Sequence, residues 1–298
     1  MAQRALHAMP LQIWYYIAMS DTQIIDKPLQ KENRKMTSNN LLKGKKGIIV
    51  GVANKWSIAW AVAKACIREG AEIGFTYQGE RVLRNLEKLF KEENMDPFSV
   101  NLDVTKDEEL SQAGEQIKKQ YGQIDFFLHA VAFAKREELG GEFVNTSRDG
   151  YHLAQDVSSY SLIALSKAFK PLMEEKGGSV VALSYLGSER VVKNYNVMGV
   201  AKAALESSAR YLAYDLGPKN IRVNVVSPGP IKTLSASGID DFSKMLEHFR
   251  SVAPLRKNIS AEEVADTCVF LFSDYSRAIT GELIYVDCGY NTLAMWFK

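Results

Sequence analysis

The chain predicts a single Rossmann-like α/β domain, a doubly wound parallel sheet of about seven strands with helices on both faces. Three observations lead there. Strand-like and helix-like stretches alternate over about 240 of the 298 residues, the pattern of a parallel sheet covered by crossover helices. The first strand ends in Gly51, which opens a helix after a short loop. No Pro/Gly/Ser-rich linker, internal repeat or low-complexity stretch interrupts the series.

The elements follow in order. KKGIIVG (45–51) is a buried strand, and Ile58, Ala61, Val62, Ala65 and Cys66 then recur at helical spacing up to Gly70. AEIGFTY (71–77) is a second strand, 80–93 a charged amphipathic helix, PFSVNLDV (97–104) a third strand and 106–121 a third helix. IDFFLHAVAFA (124–134) is a strand running into a loop, and 148–175 reads as one long helix stopped by Gly177 and Gly178. SVVALSY (179–185), a helix over 195–216, IRVNVVSPGPI (221–231), a helix over 261–272 and ELIYVDCG (282–289) complete the series. Residues 1–40 differ: an apolar aromatic run, 11–19, precedes a polar, aperiodic one. They read as a disordered leader or the product of an upstream start codon, and 41–298 as the domain.

Composition narrows the function. Hydrophobic content of 46% and charged content of 24% suit a soluble globular protein, and a net charge of +2 makes no case for nucleic acid or a membrane surface. No apolar run reaches membrane-spanning length. Cys66, Cys268 and Cys288 form no ligand spacing, and the four histidines are scattered, so no metal site is expected. Three sparse cysteines predict buried thiols in a reducing compartment, the cytoplasm.

Two regions carry chemistry. At the first, Gly51 and the following helix can hold a pyrophosphate on free N–H groups and the helix dipole, although GVANKWSIA lacks the G-x-G-x-x-G fingerprint. Ser57 can cap that helix or offer a hydroxyl to phosphate. The second strand ends in Gln78 rather than an acid, which suits ribose hydroxyls, and the adjoining Glu80–Arg81 pair favours NADH over NADPH. Asp103 can accept from an adenine amino group or serve near the next helix N-terminus. The second region is SYLGSERVVKNYNVMGVAK (184–202), with Tyr195 and Lys202 seven positions apart, about two helical turns on one face, and Tyr185 ten positions upstream. An ammonium beside a phenol lowers the phenol's pKa, and a phenol so placed can serve a carbonyl oxygen that gains charge during hydride transfer.

With these residues in view, the chain resembles the bacterial NADH-dependent enoyl-acyl-carrier-protein reductases of the short-chain dehydrogenase/reductase superfamily. The resemblance runs from about Leu41 to the C-terminus. It rests on GVANKWSIAWAVAK, FTYQGER, LDV, HAVAFAKREEL, DVSSYS, LSYLGSERVVKNYNVMGVAKAALE, RVNVVSPGPIKTLSASGIDDFSKML and ITGELIYVDCG. It implies that Tyr195 hydrogen-bonds a thioester carbonyl, that Lys202 holds the nicotinamide ribose, and that Tyr185 is a further active-site tyrosine. It implies cofactor contacts at Gly51, Ser57, Ile58, Gln78, Asp103, Val104, Val131, Lys202 and the loop Ile231, Lys232, Thr233, Leu234 and Ser235, and substrate contact at Ala134. It further implies NADH (NAD+) as cofactor, an acyl carrier protein bearing the enoyl substrate as partner, and a homotetramer built on the helices from Arg148 and Tyr195. Reduction of a trans-2-enoyl thioester, the last step of a fatty-acid elongation cycle, is the implied reaction.

Two departures stand out. Ala132 occupies a position that is usually glycine, and its methyl narrows the space beside the nicotinamide. SerProGlyPro at 227–230 is closer to other superfamily members. A ketoreductase is one alternative, but it would carry a serine thirteen positions before the tyrosine, where this chain has Ala182. A non-catalytic dinucleotide-binding protein is another, opposed by the presence of Tyr185, Tyr195 and Lys202. Residues 232–252 read as a lid over an acyl chain, with Phe242, Met245, Leu246 and Phe249 at helical spacing serving either that chain or the core. Lys232, Lys244, Arg250, Arg256 and Lys257 are candidates for a basic rim facing an acidic carrier protein.

Overall fold

The computed structural model describes residues 38–231 and 242–294. Most of the leader and the loop residues Lys232, Thr233, Leu234 and Ser235 therefore lie outside the described residues, as does the side chain of Phe242.

Seven strands form one parallel sheet: β1 Lys46–Val50, β2 Glu72–Tyr77, β3 Ser99–Asn101, β4 Phe126–His129, β5 Gly178–Leu183, β6 Ile221–Pro228 and β7 Leu283–Val286. Their spatial order is β3-β2-β1-β4-β5-β6-β7. The order reverses between β1 and β4, and the crevice beyond the strand ends at such a reversal is where open α/β sheets take ligands. Strands buried on both faces need apolar residues at successive positions rather than alternate ones. Neighbouring residues therefore serve opposite cores: Ile49, Phe126, Val181 and Val226 face one cluster, whereas Ile48, Phe127, Val180 and Val225 face the other.

The helices α1 Ile58–Arg68, α2 Gly79–Glu92, α3 Asp107–Tyr121, α6 Asn196–Leu216 and α8 Ala261–Phe272 match the sequence periodicity closely. The α8 start is held by a capping box, with Ser260 and Glu263 each bonding the other's backbone N–H. Gly70, at φ +89°, ends α1 in a conformation that disfavours a side chain. The last helix before α8, α7 Phe242–Val252, carries the apolar stripe of the lid segment.

The long helix expected over 148–175 is not continuous. It is divided into α4 Arg148–Gln155, a π-helical turn at Asp156–Tyr160 and α5 Ser161–Phe169, and closes in a 3₁₀ turn at Lys170–Leu172. The π turn falls where Ser158 and Ser161 bond the residues around the end of β4, so local hydrogen bonding there overrides helical periodicity.

Phe126 stacks on Phe272 at 4.2 Å and 19°, joining the sheet centre to α8. Gly47 gives the ring its room, since a Cβ there would lie 2.1 Å from Phe126 Cε2. Phe126→Ala is expected to lower stability by about 3–5 kcal/mol. Urea denaturation followed by circular dichroism measures it, and a loss below about 1 kcal/mol would contradict this packing.

Candidate active site

The strand ends assemble the site. Gly51 follows β1, Gln78 follows β2, Asp103 lies two residues beyond β3, Ala130 follows β4 and Ser184 follows β5. Gly51, Gln78, Asp103, Val104, Val131 and Ala132 line one cavity of about 490 Å³. Gly51 sits at φ +108°, and a Cβ there would lie 2.3 Å from Ala130 O. Close backbone approach and left-handed conformation both require glycine.

Asp103 is engaged within the protein. Its carboxylate accepts from Thr105 N–H at 3.0 Å and Thr105 Oγ1 at 2.7 Å. Burial works against ionisation, but Thr105, the Gln78 amide and Lys106 carry the carboxyl below its ordinary value. Ser57 occupies the cap position of α1, yet its hydroxyl donates to Asn54 O at 2.6 Å instead of accepting from the helix. Capping by Ser57 is thus not observed, because the tight turn before α1 puts a closer acceptor in reach. Ser57 and Ile231 line a separate, smaller cavity of about 170 Å³, and Ile58 packs against the core.

The second cluster joins β5 to α6. Tyr195 stands at the N-cap of α6, and its ring meets Tyr185 edge-on at 5.0 Å. Gly187 and Gly199 permit this approach. A Cβ on Gly187 would lie 2.5 Å from Tyr195 Cδ1, and one on Gly199 would lie 2.6 Å from Gly187 O. The Tyr185 hydroxyl donates to Met245 Sδ at 3.9 Å, and both line a cavity of about 260 Å³ with Phe249. The stripe on α7 therefore serves two purposes: Phe249 is core, stacked on Tyr290 at 4.9 Å, whereas Met245 faces the tyrosines.

Lys202 is 6% exposed, which excludes a solvated lysine, and its ammonium donates to Leu183 O at 2.7 Å. Burial lowers its pKa to about 8, against the opposing pull of Glu206. The expectation that Lys202 draws the Tyr195 phenol down is not met. Burial, then Tyr185 and Glu206, push that phenol well above its ordinary value. In a site this enclosed desolvation of the phenolate dominates, and the Lys202 ammonium is aimed at Leu183 O rather than at the phenol. Tyr195 is thus a protonated donor at neutral pH, and Tyr185 is likewise raised, to about 12, by burial and Tyr290.

Four residues that the sequence did not single out support these groups. Phe133 N–H donates to Ser158 Oγ at 2.9 Å and the hydroxyl donates back to Phe133 O at 3.1 Å, fixing the segment that carries Ala132 and half-buried Ala134. His129 Nε2 lies 2.8 Å from Ser161 Oγ, whose own proton goes to Val157 O, so His129 is the donor. Burial, aided by Lys202, lowers the His129 pKa to about 3. Glu206 accepts from Ser184 in the interior. Only Glu206 left a signal in the sequence, four positions after Lys202 on one helix face.

The model of the family described as enoyl-(acyl carrier protein) reductase matches residues 51–291. The chain belongs to the enoyl-acyl-carrier-protein reductase family. It is similar to the enoyl-[acyl-carrier-protein] reductase [NADH] FabI of Bacillus cereus, 52% identical over 254 residues that make up 85% of this chain and 99% of that protein. Among solved structures, the Bacillus cereus enoyl-acyl carrier protein reductase with NADP+ and indole naphthyridinone superposes with a TM-score of 0.84 at 52% identity, covering 86% of this chain and 99% of that one. The reductase of Anaplasma phagocytophilum in complex with NAD does so at 0.82 and 42%, covering 86% and 97%. Family membership accounts for Ala182 in β5, which the ketoreductase alternative would replace with serine. The three thiols are free and buried as expected, and no metal-binding group occurs among the described residues.

His129 makes this enoyl reductase fold acid-sensitive in a defined window. Its folded pKa of about 3 lies below the ordinary 6.5, so the unfolded chain binds the extra proton between them. Stability therefore falls as pH drops below 6.5, with a limiting slope of about 1.4 kcal/mol per pH unit. Urea midpoints at pH 7 and about 5 test this, and His129→Asn is expected to flatten the dependence there.

Proposed function

We propose that the chain reduces trans-2-enoyl thioesters of acyl carrier protein to the saturated acyl form with NADH, with Tyr195 and Lys202 carrying the chemistry. The observation that carries this reading is the Tyr195 phenol, held protonated edge-on to Tyr185 with the Lys202 ammonium on the same helix.

The residues present fit a dinucleotide. Gly51 provides a cradle that a Cβ would fill, and the cavity beyond it has room and polar groups at Gln78 and Asp103. Gly51, Gln78, Asp103, Val104 and Val131 would hold it from this cavity, with Lys202 on the nicotinamide ribose. The ionised Asp103 beside Gln78 opposes a 2′-phosphate by like charge, in keeping with NADH. When bound, the cofactor supplies the hydride that the β-carbon receives.

The chain's own part is electrostatic. As hydride addition moves negative charge to the thioester oxygen, the Tyr195 O–H donates to that oxygen, and its raised pKa keeps the proton on the phenol until charge develops. Lys202 adds positive charge nearby. An ammonium has three donors, and the bond to Leu183 O aims it while others remain for ribose hydroxyls. Ser158 keeps Ala132 and Ala134 in place beside the reacting centre.

Other assignments follow the same reading. Tyr151 and Tyr160 before α5, Ile163 on it, and Tyr211 and Tyr214 on α6 are exposed large side chains on the helices expected at subunit interfaces. They support a homotetramer, which light scattering tests. No helix among the described residues is long and apolar enough to cross a membrane, and cytoplasmic location accords with the free thiols. Of the basic candidates, Lys257 is paired with Glu263, and Arg256 donates to Ser251 O, so neither reaches out freely to a carrier protein.

Crotonyl thioester is expected to drive NADH oxidation, and acetoacetyl thioester is not. Tyr195→Phe is expected to lower kcat about 100-fold or more while leaving NADH affinity unchanged. A variant at wild-type rate would remove Tyr195 from the mechanism. For the free enzyme, kcat/KM for NADH is expected to decline as pH rises through about 8, where Lys202 loses its proton. A profile flat to pH 10 would contradict the role given to that ammonium.

A further inference from the structure

We infer that Glu206 is a positioning residue: its buried carboxylate, one helical turn beyond Lys202, is the counter-charge that keeps Lys202 an ammonium. This rests on the role proposed for Lys202.

Three consecutive residues at the end of β5 each engage α6 or its cap. Leu183 O accepts from Lys202, the Ser184 hydroxyl donates to Glu206, and the Tyr185 ring meets Tyr195. Glu206 is 6% exposed, so its charge is removed from water as thoroughly as that of Lys202, also 6% exposed. A carboxylate has no reason to be in an apolar interior unless something there compensates it. A serine hydroxyl alone compensates a charge poorly, and Lys202, one helical turn away and equally buried, places an opposite charge on the same helix face. The electrostatics agree in direction, since Glu206 raises the Lys202 pKa against burial.

The groups around the pair leave Glu206 as the source of that stabilisation. Lys202 faces Glu206 on its own helix and neutral His129 from β4, while Glu206 also bears on Tyr195 at the helix start. Glu206 also faces Tyr285 on β7, which in turn feels Glu189 and Asp287, and Arg190 faces Asp287. Both sides of the site thus bear on one carboxylate. Of these groups, only Glu206 combines a negative charge with the i,i+4 place relative to Lys202.

The test reads NADH binding against pH by fluorescence titration, with unfolding midpoints alongside. Glu206→Gln keeps an acceptor for Ser184 and removes the charge. It is expected to move the alkaline loss of NADH affinity down by about one pH unit, a roughly tenfold weaker affinity on that limb, with little change at pH 6. Ser184→Ala keeps the charge and is expected to leave that limb in place, as is Glu206→Asp. An unchanged midpoint in Glu206→Gln overturns the inference, as does a shift in Ser184→Ala of the same size. A wild-type profile with no alkaline limb removes the role of Lys202 itself, which separates failure of the parent reading from failure of this one. If Glu206→Gln does not fold, the Lys202→Met/Glu206→Gln double variant is expected to fold, because the uncompensated ammonium is then absent. A double variant that also fails shows a structural carboxylate and overturns the inference.

Discussion

The contact between the Lys202 ammonium and Leu183 O binds α6 to the end of β5. A charged group is costly in the interior, so it must be met by oriented partners, and those partners fix the backbone around it. Leu183, Ser184 and Tyr185 are committed one after another, each to a residue of α6 or its cap. Gly187 and Gly199 are the steric counterpart: any larger residue would displace Tyr195 or the turn that supports it. The position of Tyr195 is thus set from the strand end, the helix start and the intervening turn together.

The same interior governs which protonation states are available. Desolvation holds Tyr195 protonated, His129 neutral and Lys202 close to its titration point. A phenol that keeps its proton suits a site where negative charge appears on a thioester oxygen only as hydride arrives. The acid sensitivity expected of the fold and the alkaline sensitivity expected of cofactor binding share this one low-polarity environment, acting on a histidine that ends β4 and a lysine of α6 bonded to the end of β5.

Around this centre the sheet does the gathering. Residues as distant in sequence as Gly51, Gln78, Asp103 and Val131 share a cavity because each lies just beyond the end of a parallel strand. Ser158 adds a lateral tie. Its hydroxyl engages both backbone groups of Phe133 and also lies 3.6 Å from Met198 Sδ, so the loop after β4 is referred to the first turn of α6. The π turn that presents Ser158 breaks an otherwise continuous helix.

The sequence by itself determined the parallel sheet, because apolar runs such as GIIV and FFLH between amphipathic helices have no other economical burial. It determined the Tyr195–Lys202 pair, whose spacing is a property of one helix, and Gly51, whose place at a strand end is local. Tertiary structure decided what spacing cannot encode. The Ser57 hydroxyl turned to Asn54 rather than to its helix, and the helix predicted over 148–175 gave way to a π turn under pull from His129 and Phe133. The Tyr195 pKa rose where a neighbouring lysine alone predicted a fall. In each case the deciding term was a long-range contact or the loss of water around a group, and both exist only once the sheet has brought distant segments together.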